Sequence, residues 1–361
     1  MEKITTHFKN KKILITGHTG FKGSWLTLCL AGLNAKILGI SKDIPTTPSH
    51  YSAIGIKRNV RTKKINICNL KKLKKTINEY KPDYIFHLAA QSLVKKSYEK
   101  PLITWETNLM GTINILEILK EYKNKIKIVI ITSDKSYKNI EKKQGYKESD
   151  RLGGLDPYSA SKASAELAIQ SYFNSFIKRK KNISLAVARA GNVIGGGDWS
   201  KDRLIPDCIK AWSLRKKVII RNSNSTRPWQ HVLEAVWGYI ILAYALKNKK
   251  INGEAFNFGP NTMKSFKVID CVKIMKKYWA GINWKISKIK RKKLHEAGLL
   301  KLNSYKAKKI LKWHTVLTFK ETIKFTSLWY KNYYSRRKNI ISKEQIENYK
   351  KIFNKRSSLI I

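Results

Sequence analysis

Short β-branched runs alternate along the first half of the chain with longer stretches of helical period. The runs are KKILIT (11–16), AKILGIS (35–41), KKINI (63–67), DYIFHLAA (83–90), KIKIVIITS (125–133) and ISLAVARAG (183–191), and they predict six strands. Fully apolar segments such as IVII (128–131) need protein on both faces, as in a parallel sheet with helices above and below. Leu26, Cys29, Leu30 and Leu33, after the first run, fall at helical spacing and would cover that sheet. A doubly wound parallel α/β domain over residues 1–190 follows.

Past Gly191 the rhythm breaks into a glycine-rich loop, GNVIGGGDW, shorter strands (KKVIIR and EAFNFG) and a helix from about Leu233 to Leu246. This reads as a smaller lobe over 191–361, with the chain crossing back to the first domain around 230–260. Phe325, Leu328, Trp329 and Tyr333 form an apolar helical stripe suited to core packing, and the last residues, NKRSSLII, read as frayed. WGYIILAYAL (237–246) is half the roughly 20 residues a membrane span needs. The first residues are polar up to the first strand, so no secretory segment is expected there, and the expected location is the cytoplasm.

Length changes this picture little, since 361 residues can bury a full core. Charge changes it more. With 74 basic against 24 acidic residues the net charge is +50, which raises nucleic acid or an anionic membrane as partner. The lysines are spread over the whole length, in runs such as KKLKK and IKRKK, rather than gathered on one element, so no specific nucleic acid and no membrane is expected. Nonspecific polyanion binding at low salt is. Cys29, Cys68, Cys208 and Cys271 are far apart and form no CxxC pair, so neither a metal site nor a disulfide framework is expected.

Three segments carry chemistry. In TGHTGFKG (16–23), Gly17, Gly20 and Gly23 give GxxGxxG between the first strand and first helix, the turn that brings backbone amides to a pyrophosphate at a helix N-terminus. His18, Phe21 and Lys22 lie among these glycines; the two basic residues are either solvated or face the phosphates. A Rossmann-type domain is therefore expected. Ser41, followed by Lys42 and Asp43, stands where the second strand would offer an acid to the adenosine ribose, so this position does not separate NAD from NADP. In DPYSASK (156–162), Asp156 and Pro157 suit a helix start, and Tyr158 and Lys162 lie one turn apart on one face. A tyrosine titrates near 10 and needs a neighbouring cation to act as a base at neutral pH, and Lys162 is the expected cation. In TSDK (132–135), Ser133, Asp134 and Lys135 surface together at the end of an apolar strand. They are either a solvated loop, an ion pair, or an acid and base.

The glycine turn, HLAA, a serine ending the fifth strand and YxxxK together resemble the extended short-chain dehydrogenase/reductase superfamily over nearly the whole chain. TGHTGFKGSWL, TSDK, DPYSASK, RAGNVIGGGDW, RPWQHVLEAVWGY and HEAGLLKL look, more narrowly, like the CDP-glucose 4,6-dehydratase family. That resemblance implies NAD as cofactor, CDP-glucose as substrate, a role in deoxysugar and surface-polysaccharide biosynthesis, and a homodimer formed through the helix of Tyr158 and its neighbour. It implies that Tyr158 takes the C4 hydroxyl proton with Ser133 and Lys162 in support, while Lys135 is the C5 base, directly or through water, and Asp134 the acid at C6. It places Leu88, Ala89 and Ala90 on the cofactor and Asn66 and Ile67 by adenine. Ser92, Asn192, Arg203 and Arg227 go to the sugar nucleotide, with Arg227 on the pyrophosphate or in a surface ion pair, and His295 and Glu296 to the nucleotide end. Asn66 and Asn303 depart from the family's usual aspartates. A 4-epimerase on the same scaffold would need neither Asp134 nor Lys135.

Overall fold

Successive residues of the apolar runs point to opposite faces of one sheet, and each face meets its own helices. The computed structural model describes residues 2–56, 60–220, 223–260, 266–279, 282–286, 299–335 and 338–357. Its central sheet comprises β1 (Lys12–Thr16), β2 (Lys36–Ser41), β3 (Arg61–Lys64), β4 (Tyr84–His87), β5 (Ile126–Ile131), β6 (Ile183–Ala190) and β7 (Ala255–Phe258). The strands are parallel, in the order β7-β6-β5-β4-β1-β2-β3. The principal helices are α1 (Phe21–Ala31), α2 (Leu70–Tyr80), α3 (Gly111–Glu121), α4 (Pro157–Tyr172), α5 (Leu204–Ser213), α6 (Val232–Ala245), α7 (Phe319–Tyr333) and α8 (Ser342–Ser357).

Ile13, Ile15, Phe86, Val129 and Ala186 pack on one side with Trp25 and Cys29 of α1 and Trp237 and Ile240 of α6. Leu14, Leu38, Ile85, Ile128 and Leu185 pack on the other with Leu73 and Ile77 of α2 and Leu116 and Leu119 of α3. The order reverses between β1 and β4, which opens the crevice at their C-terminal ends where such sheets bind ligands.

Three expectations are corrected. The third strand covers Arg61–Lys64 rather than 63–67, because it is the sheet edge: its basic residues face solvent, while Ile65 and Ile67 turn into the core behind it. EAFNFG, counted among the strands of the smaller lobe, lies instead in the 230–260 stretch expected to cross back to the first domain. It returns to the main sheet as β7, where Phe256 pairs with Ala188 of β6. Residues 354–357, expected to fray, continue α8, tied by Arg356 to Glu321 through two hydrogen bonds of 2.7 and 2.8 Å; 358–361 lie outside the described residues.

The apolar helix α6 is buried almost throughout, between the sheet and the C-terminal helices, and among the described residues no helix is long and apolar enough to cross a membrane. The glycine-rich loop that precedes it serves packing. A Cβ on Gly196 would fall 1.9 Å from the Trp329 ring, so glycine lets the α7 stripe lie against the loop.

Glu234 ties the C-terminal helices to α6. Its carboxylate accepts from the amides of Val316 (2.9 Å) and Leu317 (2.7 Å) and from the Tyr349 hydroxyl (2.6 Å), all buried. Glu234→Ala strands these donors and is expected to cost about 3–5 kcal/mol in urea unfolding, at roughly 1–3 kcal/mol for each buried donor left unpaired. Burial pushes Glu234 from 4.5 up to about 7. The folded chain therefore binds this proton more tightly than the unfolded one. The resulting stability is full below pH 4.5 and is lost as pH rises to about 7, and Glu234→Gln should lack that slope.

Candidate active site

The turn after β1 has the backbone that a dinucleotide requires. Gly17 has φ +76°, and a Cβ on it would fall 2.7 Å from the Ala89 amide nitrogen, where β4 runs out beside β1. A Cβ on Gly23 would fall 2.1 Å from the Gly17 carbonyl oxygen. The cradle thus closes only around glycine, and the half-exposed Leu88, Ala89 and Ala90 line the crevice opposite it. These features fit a dinucleotide pyrophosphate. Gly23→Ala should force the turn open and weaken NAD binding in calorimetry by about tenfold or more, from the roughly 1–3 kcal/mol that overpacking costs.

The side chains in the turn behave differently from expectation. His18 is neither solvated nor a phosphate-facing cation. It is fully buried against Gly39, with Nδ1 2.9 Å from the Ser41 hydroxyl and Nε2 3.2 Å from that of Thr62, and burial drops it to about 4, so the ring is neutral. Ser41 is occupied by His18 and the Thr19 amide (3.3 Å), which turns it inward from the β2 tip. Phe21 packs beside Gly195. Lys22 is half-buried; burial pushes it down to about 8, with Asp134 drawing it back and Arg203 lowering it further.

Asp134–Ser136 form one 3-10 turn at the end of β5, capped by Ser133, whose hydroxyl accepts the Lys135 amide at 3.2 Å. Asp156 caps α4, accepting the Ser159 amide at 3.0 Å, and Pro157 opens it, which brings Tyr158 over this turn. The Ser133 hydroxyl donates to Asp134 Oδ1 (2.9 Å) and also reaches the Tyr158 phenol. Serine, aspartate and tyrosine thus meet at one point. Burial raises the Asp134 carboxyl, opposed by Lys135, Ser133 and Lys22, and favours the protonated acid. A Cβ on Gly191 would sit 3.4 Å from Asp134 Oδ2, so glycine leaves room beside the carboxyl. Lys135 is half-buried and acts on Asp134 through space; among the described residues no ion pair joins the two.

Burial pushes Tyr158 up to about 12, and Ser133 and Arg203 draw it back. Lys162, the expected partner, is buried one turn along α4 from Tyr158. Burial and then Lys22 drop its ammonium to about 8, and Glu166, one turn further along the helix, draws it back. Arg203, a cation that also lowers the phenol, is held by Asp198 at 2.9 Å.

The other expected residues are scattered around this centre. Ser92 and Asn192 are exposed. Asn66 is exposed, with its side-chain oxygen on the Cys68 amide, whereas the Ile67 side chain is core, packed on Gly111, and its carbonyl accepts from the Asn114 side chain at 2.9 Å. Asn303 takes a structural part, its carbonyl accepting from Asn257 at 3.1 Å. Arg227 has its backbone in a two-residue strand, and its side chain lies outside the described residues, as do His295 and Glu296. Two side chains that motif reading passed over, Glu166 and Arg189, form a buried ion pair directly behind the centre. Each left a signal: Glu166 extends the Tyr158–Lys162 face by one turn, and Arg189 is a lone charge in an apolar strand, which needs a partner.

The chain is similar to known proteins. The GDP-mannose 4,6 dehydratase family matches residues 14–326. The CDP-glucose 4,6-dehydratase of Salmonella typhimurium is 41% identical over 349 residues, covering 95% of this chain and 97% of that protein. Among solved structures, an epimerase from Methanothermobacter thermautotrophicus superposes with a TM-score of 0.79 at 23% identity, over 96% of this chain and 97% of that one. The dTDP-glucose 4,6-dehydratase of Bacillus anthracis, solved with NAD, gives 0.72 at 24%, over 89% and 97%. These structures share the fold, a Rossmann-type parallel sheet. With a family match spanning most of the chain and a relative this similar from end to end, the chain belongs to the nucleotide-sugar 4,6-dehydratases of the extended short-chain dehydrogenase/reductase superfamily.

Proposed function

We propose that this enzyme converts CDP-glucose to CDP-4-keto-6-deoxyglucose with NAD as a resident cofactor, within deoxysugar biosynthesis in the cytoplasm. The observation that carries the reading is the Ser133–Asp134–Lys135 turn set against Tyr158, since a 4-epimerase has no use for an acid and a base beside its tyrosine. The full-length similarity to the Salmonella enzyme, and not to the UDP- or dTDP-sugar enzymes alone, favours the cytidine nucleotide.

The Gly17–Gly23 cradle would hold NAD, which would supply the acceptor for hydride from C4 of the hexose and the donor of that hydride to C6. Tyr158 takes the C4 hydroxyl proton, its anion stabilised by the Ser133 hydroxyl and Arg203. The ketone acidifies the C5 hydrogen, which Lys135 removes, directly or through one water. Asp134, whose carboxyl burial raises, gives its proton to the C6 hydroxyl, which leaves as water. C5 regains a proton from Lys135. Residues 1–190 with the returning α6 and β7 hold the cofactor, and the remainder covers the sugar nucleotide; the family resemblance assigns Ser92, Asn192 and Arg203 to the sugar nucleotide, Arg227 to its pyrophosphate and His295 and Glu296 to its nucleotide end.

The working unit is a homodimer joined through α4 and its neighbours, where Leu102 (69%), Leu167 (55%) and Met110 (47%) stand exposed on adjacent elements. Light scattering should give twice the chain mass, and Leu167→Glu should halve it.

The activity is tested by incubating the protein with NAD and, separately, CDP-, UDP-, GDP- and dTDP-glucose. Loss of one water from CDP-glucose in the mass spectrum is the expected result. An isomer of unchanged mass would make the enzyme an epimerase.

A further inference from the structure

One buried group has no part in the chemistry above. Arg189 of β6 and Glu166 of α4 are 1% and 2% exposed, and the guanidinium grips the carboxylate through Nε (2.9 and 2.7 Å) and Nη2 (2.5 Å). An ion pair this deep is weak evidence of stabilisation, because a well-packed apolar pair is often as stable. Its other bonds indicate what it does. Glu166 Oε1 accepts from the Thr132 hydroxyl at 2.6 Å, and Thr132 immediately precedes Ser133. Arg189 Nη1 donates to the Tyr137 hydroxyl at 2.7 Å, and Tyr137 immediately follows Ser136. Tyr137 lies beneath the guanidinium, 4.8 Å from ring centroid to Cζ, and its hydroxyl donates a hydrogen bond to Asn257 Oδ1 of β7 at 2.8 Å. The segment 133–136 is therefore tied at both ends to one ion pair.

The asymmetry with the rest of the centre matters. Tyr158 and Lys162 ride on a 16-residue helix with its own cap. Asp134 and Lys135 ride on a three-residue turn, too short to hold its shape unaided.

We infer that the Arg189–Glu166 pair is a positioning device that clamps the Ser133–Ser136 turn at Thr132 and Tyr137, and so governs the elimination half of the reaction more than the oxidation half. This rests on the dehydratase reading. A catalytic group displaced by about 1 Å loses on the order of a hundredfold in rate; both groups that serve elimination ride on the clamped turn, whereas of the oxidation groups only Ser133 does, and Tyr158 keeps its place on α4 and the charge of Arg203.

Tyr137→Phe and Thr132→Val each cut one tie and leave the ion pair and the tyrosine helix in place. The holoenzyme is mixed with CDP-glucose and quenched with borodeuteride at early times, so that each trapped keto sugar carries one deuterium and is told from unreacted substrate. Mass spectrometry then gives the ratio of trapped hexose that kept its C6 oxygen to trapped 6-deoxyhexose. Both variants should raise this ratio by roughly tenfold or more, with CDP affinity in calorimetry unchanged within about twofold. Arg189→Lys, which keeps the charge and loses the fork, should do the same; should it fail to fold, Tyr137→Phe decides alone. An unchanged ratio, with or without slower turnover, overturns the clamp and leaves the pair a structural prop. A parent protein that makes no 6-deoxy sugar from any nucleotide sugar overturns the dehydratase reading and the clamp with it.

Discussion

Tyr158→Phe should lower kcat by roughly a hundred- to ten-thousandfold, the usual contribution of a positioned general base, and leave CDP binding within about twofold. The change removes one oxygen atom. The ring, its packing on α4 and the Asp156 cap stay, so the fold has little to lose. The lost oxygen is the one to which Ser133 and Arg203 turn, and it is the acceptor for the C4 hydroxyl proton. Without it the sugar is not oxidised, and no later step can begin. Pre-steady-state mixing with CDP-glucose should therefore show neither trapped keto sugar nor product. Ser133→Ala should fall the same way by less, since Arg203 remains.

Asp134→Asn and Lys135→Met form the second large effect, and their phenotype is different in kind. Oxidation needs neither group, so the keto intermediate should form at near parental rate and accumulate. Water loss should slow by roughly a hundred- to ten-thousandfold. Asparagine matches aspartate in shape and still accepts from Ser133, but it has no carboxyl proton for the departing hydroxyl. The two are separable by solvent exchange: Asp134→Asn should still take deuterium from heavy water at C5 of the keto intermediate, whereas Lys135→Met should not. Undiminished exchange in Lys135→Met would remove the lysine from the role of base.

What could be read from the chain follows burial and locality. Strands β1, β2 and β4 to β6 are visible in the sequence because both their faces are covered and their runs are apolar. β3 slips because an edge strand needs apolar residues only where it rejoins the core, and Ile65 and Ile67 misplace its end. β7 cannot be assigned to the main sheet locally, because its partner β6 lies some seventy residues away in sequence and nothing in EAFNFG names it. The glycine turn and the Tyr158–Lys162 face are legible since backbone sterics and helical period are local rules. His18 is not, because the cavity that neutralises it is made by Gly39, Tyr51 and Thr62 from other elements. The same limit applies to charge: the Tyr158–Lys162 spacing is local, whereas Arg203, from beyond β6, acts on the phenol only because the fold brings it there.

All of this converges on an enzyme that moves one hydride within one sugar while the turn after β5 removes water. CDP-glucose carrying deuterium at C4 tests that most directly. The account predicts a 6-deoxy product with the label in its C6 methyl group, undiluted by solvent. Label retained at C4 of an isomeric hexose, or a 6-deoxy product without it, would contradict the account.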